Sequence, residues 1–283
     1  MVPEAMPISC ADYTWPQVSH RHALATIADI GVRAVDIALF GAGSHLELDA
    51  IVIDPSYWAG SVRALLTQYD LEIADVFLIP GPDLETYAPT STDPSEIKAS
   101  RHIFNQVSTF ARKLGARGIT LLPGALSPDQ TPNAAFERAV HELSIRVAIA
   151  HAMGLRCSIE PHVGGLIETP PQAGRLVEAV KGLEITLDIA HFTYQGFALK
   201  DALPLIRHTR HVQIRPSDLA KMQTRVCEDR SDIAGLVRHL RAESYRGYVA
   251  LEYVWMEKWD CNRVDNTTET VALNTLLRSL IAA

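Results

Sequence analysis

Several common signatures are missing from this sequence. Cysteine is scarce: Cys10, Cys157, Cys227 and Cys261 are scattered through 283 residues with no CxxC pair. That excludes a disulfide framework and a cysteine zinc knuckle, and predicts the reduced thiols of a cytoplasmic protein. Basic charge is in deficit, with Lys and Arg at 26 against Asp and Glu at 33 and a net charge of −7. A nucleic-acid partner needs a basic face, so none is expected. No apolar run approaches the ~20 residues that span a bilayer, so no membrane association is expected either. The stretch Met1 to Cys10 carries neither the basic start nor the apolar core of a secretory signal. The glycine-rich phosphate turn of a doubly wound sheet is absent too. After the first predicted strand the chain reads Asp12-Tyr13-Thr14-Trp15-Pro16.

What is present is a regular alternation of short β-branched runs and longer amphipathic segments. The runs predict strands at Ile8–Tyr13, Ala34–Phe40, Glu72–Ile79, Gly118–Leu122, Arg156–His162, Glu184–Ile189, His211–Arg215 and Tyr248–Val254. Helical patterns lie between them, at His22–Gly31, Pro55–Tyr69, Pro94–Leu114, Asn133–Met153, Pro170–Lys181, Ala198–His208, Asp232–Ser244 and Thr267–Ile281. Asp54-Pro55, Asp93-Pro94 and Thr131-Pro132 each place proline at a first helical position behind a capping side chain. Strand and helix alternating eight times, without a linker or low-complexity tract, predict an α/β fold: a single (β/α)8 TIM barrel forming one domain over residues 1–283.

In such a barrel the chemistry collects at the carboxyl ends of the strands. Glu160, Asp188 and Glu252 each interrupt an otherwise apolar strand near that end. A lone carboxylate there is costly to bury unpaired. Each could pair with an Arg or Lys; three converging on one mouth instead favour a shared divalent cation, and oxygen ligands suit Mn²⁺ or Mg²⁺. Period-two alternation places His211, Gln213 and Arg215 on one inward face of strand seven. Gln213 offers a neutral carbonyl oxygen as a fourth ligand, whereas His211 sits deeper and reads as a satisfied interior histidine. His162 lies two residues after Glu160. It reads either as a hydrogen-bond partner of Glu160 or as a general acid/base, since imidazole titrates near neutrality.

The run Glu160…Asp188-x-x-His191…His211-x-Gln213-x-Arg215…Glu252 resembles the sugar isomerase/epimerase family with a xylose-isomerase-like barrel. The resemblance covers essentially the whole chain, with its specific motifs in the last four strands. It implies Glu160, Asp188 and Glu252 as metal ligands, and His191 and Arg215 as substrate contacts. Where the family has a ligand histidine this chain has Gln213, which favours Mn²⁺ or Mg²⁺ over Zn²⁺. The Glu-x-His pair, Gln213 and the Glu-Tyr-Val-Trp ending are similar to the large subunit of C-glycoside deglycosidases, relatives that act on 3-oxo-glycosides. Trp255 and Trp259, after strand eight, suit stacking on a sugar ring or aglycone and packing against a loop equally well.

The chemistry these parts imply is proton abstraction beside the carbonyl of a small sugar or keto-sugar through an enediolate, with Glu160, His162 or Glu252 as the catalytic groups. Return of the proton gives an isomerase or epimerase; expulsion of a β-substituent gives a lyase on 3-oxo-glycosides. The epimerases imply a homo-oligomer, the deglycosidases a small partner subunit. The segment Pro216–Asp229 is long enough to form a lid or a surface excursion. A metal-dependent endonuclease on abasic DNA uses a related barrel, but the acidic charge and the few strand-end histidines argue against it.

Overall fold

The computed structural model describes residues 6–283. Among these, eight parallel strands close on themselves in chain order: β1 (Ile8–Ala11), β2 (Ala34–Phe40), β3 (Glu72–Ile79), β4 (Gly118–Leu121), β5 (Arg156–Ile159), β6 (Leu183–Asp188), β7 (Thr209–Ile214) and β8 (Val249–Leu251). The ring closes where Ile8 of β1 pairs with Val249 of β8. The expected caps act as the sequence implies. Asp54 accepts from the Tyr57 amide, Asp93 from Ser95 and Thr131 from Ala134, each ahead of a helix that starts on proline. Most of the other strand and helix bounds shift by a residue or two, as fraying allows, and the strands predicted to end at His162 and Val254 stop three residues early, at Ile159 and Leu251. A larger departure is the segment Ala198–His208, which divides into a short helix, Leu199–Ala202, and a 3-10 turn, Leu203–His208, with Pro204 at the break. Two short helices, Leu48–Ile53 and Ala190–Tyr194, add to the alternation. No described helix is long and apolar enough to cross a membrane.

The barrel interior is unusually polar for a fold whose core is mostly branched aliphatics. His211 Nε2 lies 2.6 Å from Asp36 Oδ2, joining β7 to β2 across the barrel. Arg210 reaches Asp75 Oδ2 at 2.9 Å, Ser158 Oγ at 2.9 Å and Thr120 Oγ1 at 3.0 Å. Adjacent strand residues should point to opposite faces, yet Arg210 and His211 both bond inward. A bulge explains it: pairing steps from Ile185↔Thr209 to Thr186↔His211, so Arg210 is the extra residue on β7. Buried charges survive because each is paired and hydrogen-bonded. This layer forms a rigid floor beneath the strand ends.

Candidate metal centre and cavity

The floor fixes where the strand-end side chains stand. Asp188 is the last residue of β6 and Gln213 the penultimate residue of β7. Glu160 and Glu252 each stand one residue beyond their strands. The Glu160 amide still donates to the Leu121 carbonyl at 2.9 Å and that of Glu252 to Ile214 at 3.0 Å, extending the ladders that hold them. One oxygen from each of Glu160, Asp188 and Glu252 lies within 4.8 Å of the others, and all three residues are buried. The predicted carboxylate cluster is therefore assembled.

Arg215 enters the same cluster. Its Nη2 donates to Asp188 Oδ2 at 2.7 Å and to His191 Nε2 at 2.9 Å, and stands 3.9 Å from Glu252 Oε2. One guanidinium against three carboxylates leaves an excess of two negative charges. Burial, reinforced by Asp188, pushes Glu160 up to about 8. Burial likewise raises Glu252 well above the usual range, with Asp188 and Glu160 adding to the shift and Arg215 opposing it. Burial would raise Asp188 too, but Arg215, His191 and the Ala190 amide bring it below its ordinary value. Protons on two glutamates thus stand in for missing positive charge. Burial holds His191 down to about 3, with Arg215 adding to the effect.

A divalent cation fits these residues. It would cancel the two excess charges, and two buried oxygens, Gln213 Oε1 and Glu252 Oε2, have no hydrogen-bond partner among the described residues. Orphaned buried acceptors are rare and call for an explanation; a hard cation that takes carboxylate and carbonyl oxygens supplies one. Gln213, however, does not simply project its amide into space. Its Nε2 donates to Tyr13 Oη at 3.0 Å and to Glu252 Oε1 at 3.2 Å. Tyr13 itself donates to Glu252 Oε1 at 2.6 Å. Sequence reasoning passed over Tyr13, because nothing in a lone tyrosine after β1 marks it. Only the closure of β1 onto β8 brings it to Glu252.

His162 stands at the rim of the cluster. The structure does not pair it with Glu160 by a hydrogen bond. Its Nδ1 donates to the Val163 carbonyl at 2.7 Å, which fixes the proton there and leaves Nε2 as a lone-pair acceptor. Burial, with His191 and Arg215 nearby, lowers its pKa well below the ordinary value, so the ring is neutral. Its centroid is 4.2 Å from that of His191, and a ring nitrogen of each lies within 4.8 Å of a Glu160 oxygen.

Above the cluster opens a cavity of about 340 Å³. Glu160, His162, His191, Arg215, Glu252 and Tyr13 supply its polar floor. Its walls are apolar: Phe40, Phe77 and Ile79 on one side, Trp255, Met256 and Trp259 on the other. Trp255 is exposed at the mouth, while Trp259 packs its ring toward His162 at 5.7 Å and Tyr194 at 6.3 Å. His45 stays outside, bonded to the Asp12 carbonyl at 3.1 Å. The segment after β7 is anchored. Gln223 donates to the Val254 and Cys261 carbonyls at 3.0 and 2.9 Å and accepts from the Val254 amide at 2.8 Å.

Known structures share this architecture. A D-psicose 3-epimerase from Clostridium cellulolyticum H10, solved with D-tagatose, superposes with a TM-score of 0.74 at 16% identity, over 98% of this chain and 99% of that one. An L-ribulose 3-epimerase gives 0.76 at 15% identity, over 99% and 95%. A xylose isomerase domain protein from Alicyclobacillus acidocaldarius gives 0.73 at 18%, over 98% and 99%. At these identities the likeness establishes a common fold. No curated protein sequence is detectably similar. Residues 24–278 match the family described as the xylose isomerase-like TIM barrel, and the chain belongs to that family.

Proposed function

We propose that this protein is a divalent-metal-dependent sugar isomerase or epimerase that removes a proton from the carbon beside a keto-sugar carbonyl. The observation that carries the reading is the gathering of Glu160, Asp188 and Glu252 within 4.8 Å against a single guanidinium. The structures of similar fold include a D-psicose 3-epimerase and an L-ribulose 3-epimerase, which supports a small keto-sugar as substrate. Glu160, Asp188, Glu252 and the Gln213 oxygen would hold Mn²⁺ or Mg²⁺. When bound, the cation would polarise the carbonyl and stabilise charge on the substrate oxygens.

The remaining work falls to side chains. Glu160 and Glu252, one residue beyond β5 and β8, line the cavity as candidate bases. His162, neutral and with its Nε2 lone pair free of the Val163 bond, can relay a proton. His191 and Arg215 would hold substrate hydroxyls, Arg215 as a donor only. Trp255 and Trp259 would cover the sugar face. Delivery of the proton to the opposite face gives an epimer, to the neighbouring carbon an isomer.

A second reading, β-elimination from a 3-oxo-glycoside, draws support from the cavity walls. Phe40, Phe77, Ile79 and Met256 offer no hydrogen bond to a free sugar's hydroxyls but suit an apolar aglycone. Incubation with Mn²⁺ and keto-sugars in D₂O tests both. Solvent deuterium in the recovered sugar, lost in Glu160→Gln, is the expected result; aglycone release selects elimination. No exchange with any ketose or 3-oxo-glycoside would sink the proton-abstraction reading.

A further inference from the structure

An amide side chain is asymmetric: its nitrogen donates and its oxygen accepts, so its neighbours decide which end faces which way. For Gln213 both neighbours require the nitrogen. Tyr13 has one hydroxyl hydrogen and directs it at Glu252 Oε1, 2.6 Å away, so its oxygen can only accept from Gln213. Glu252 Oε1, the oxygen that receives the Tyr13 hydrogen, is also an acceptor. The Gln213 oxygen is thereby turned away from both, buried and without a hydrogen-bond partner among the described residues. Tyr13 is itself held firmly. It sits in the 3-10 turn Asp12–Thr14 that ends β1, and its ring packs on Phe40 at 5.2 Å and edge-on to Phe77 at 6.3 Å.

We propose that Tyr13 is a positioning residue of the metal centre: its hydroxyl locks the Gln213 amide so that the carbonyl oxygen is presented to the cation. An oxygen-donor amide in the ligand set then depends on a phenol from the opposite end of the chain. An imidazole at position 213 would have no amide to orient and no such dependence. The inference rests on the reading that Glu160, Asp188, Gln213 and Glu252 bind a divalent cation.

The test is a binding cycle read by titration of Mn²⁺ into the full chain, with free Mn²⁺ followed by electron paramagnetic resonance and no turnover required. Tyr13→Phe keeps the ring and its packing and removes only the hydroxyl. In the parent it should weaken Mn²⁺ binding by about tenfold or more, the scale of losing a hydrogen-bond support to a metal ligand. In two backgrounds without the amide, Gln213→His and Gln213→Ala, the same change should cost at least about threefold less than in the parent, the remaining loss being that of the Tyr13–Glu252 bond common to all three. Equal losses in all three backgrounds, or no loss in the parent, overturn the positioning role while leaving the metal centre standing. A parent chain that binds no Mn²⁺ overturns the metal reading, and the positioning role falls with it.

Discussion

At the residue scale, the signals that were legible are those in which chemistry conflicts with local environment. A carboxylate at the end of a buried strand is such a conflict, and Glu160, Asp188 and Glu252 all lie where that reasoning puts them. Arg215 and His191 follow from the same motif. Tyr13 was not legible, because a tyrosine after a strand conflicts with nothing; its role exists only through contacts with residues 200 and 239 positions away. His162 was half legible. Alternation was extended across Pro161, but β5 stops at Ile159, and the His162 amide bonds instead to Ile167 O at 2.9 Å. Proline cannot donate to a ladder. The imidazole nevertheless reaches the cavity, with its tautomer set by the Val163 carbonyl. If it relays the proton, His162→Gln should slow deuterium exchange by roughly 10²-fold or more, with Mn²⁺ affinity within about threefold of the parent. Measuring both on one preparation separates the roles, since parallel losses would make His162 a ligand rather than an acid/base.

At the scale of elements, strand and helix order could be read because capping and alternation are local, and Pro94–Leu114 comes out with the bounds the pattern gives. The connections could not, because they are shaped by partners far away. The long segment after β7, open on sequence to a lid or a surface excursion, is stitched to the segment after β8 by Gln223 and by the Tyr253 hydroxyl, which donates to the Thr224 carbonyl at 3.1 Å. Trp259 and Asp260 adopt left-handed backbone, φ 60° and 55°, a conformation that no glycine in the sequence flagged. This strained turn aims Trp259 at the histidines, and the Gln223 clamp beside it restrains the wall. Gln223→Ala should leave a buried N–H and two carbonyls unsatisfied and cost on the order of 2–4 kcal/mol of unfolding free energy. A urea melt decides it; a cost under about 0.5 kcal/mol would show that the two segments hold their places without the Gln223 clamp.

For the whole molecule, the charge excess at the barrel mouth should couple a cation bound there to folding. Glu160, raised to about 8 from an ordinary 4.5, favours its protonated form in the folded chain. The stability this contributes is present below the unfolded value and lost as pH rises toward 8, because the unfolded chain then holds fewer protons. Glu252 shifts in the same direction. The lowered histidines, His162 and His191, act oppositely, adding stability as pH rises to about 6.5, and then stop. Between pH 6.5 and 8 the glutamates therefore dominate the mouth, and a cation-free chain should lose up to about 1.4 kcal/mol per pH unit for each. His211, raised by Asp36 against burial, drifts the same way, but it is paired within the floor and contributes alike with or without cation. Mn²⁺ must displace protons from the two glutamates to bind, so its effect on stability should grow with pH. The increase in Tm on adding saturating Mn²⁺ is expected to be several degrees larger at pH 8 than at pH 6.5, and the difference should shrink in Glu160→Gln. A Tm increment that is the same at both pH values would mean that the cation does not bind at the carboxylates, and the charge argument for this centre would be wrong.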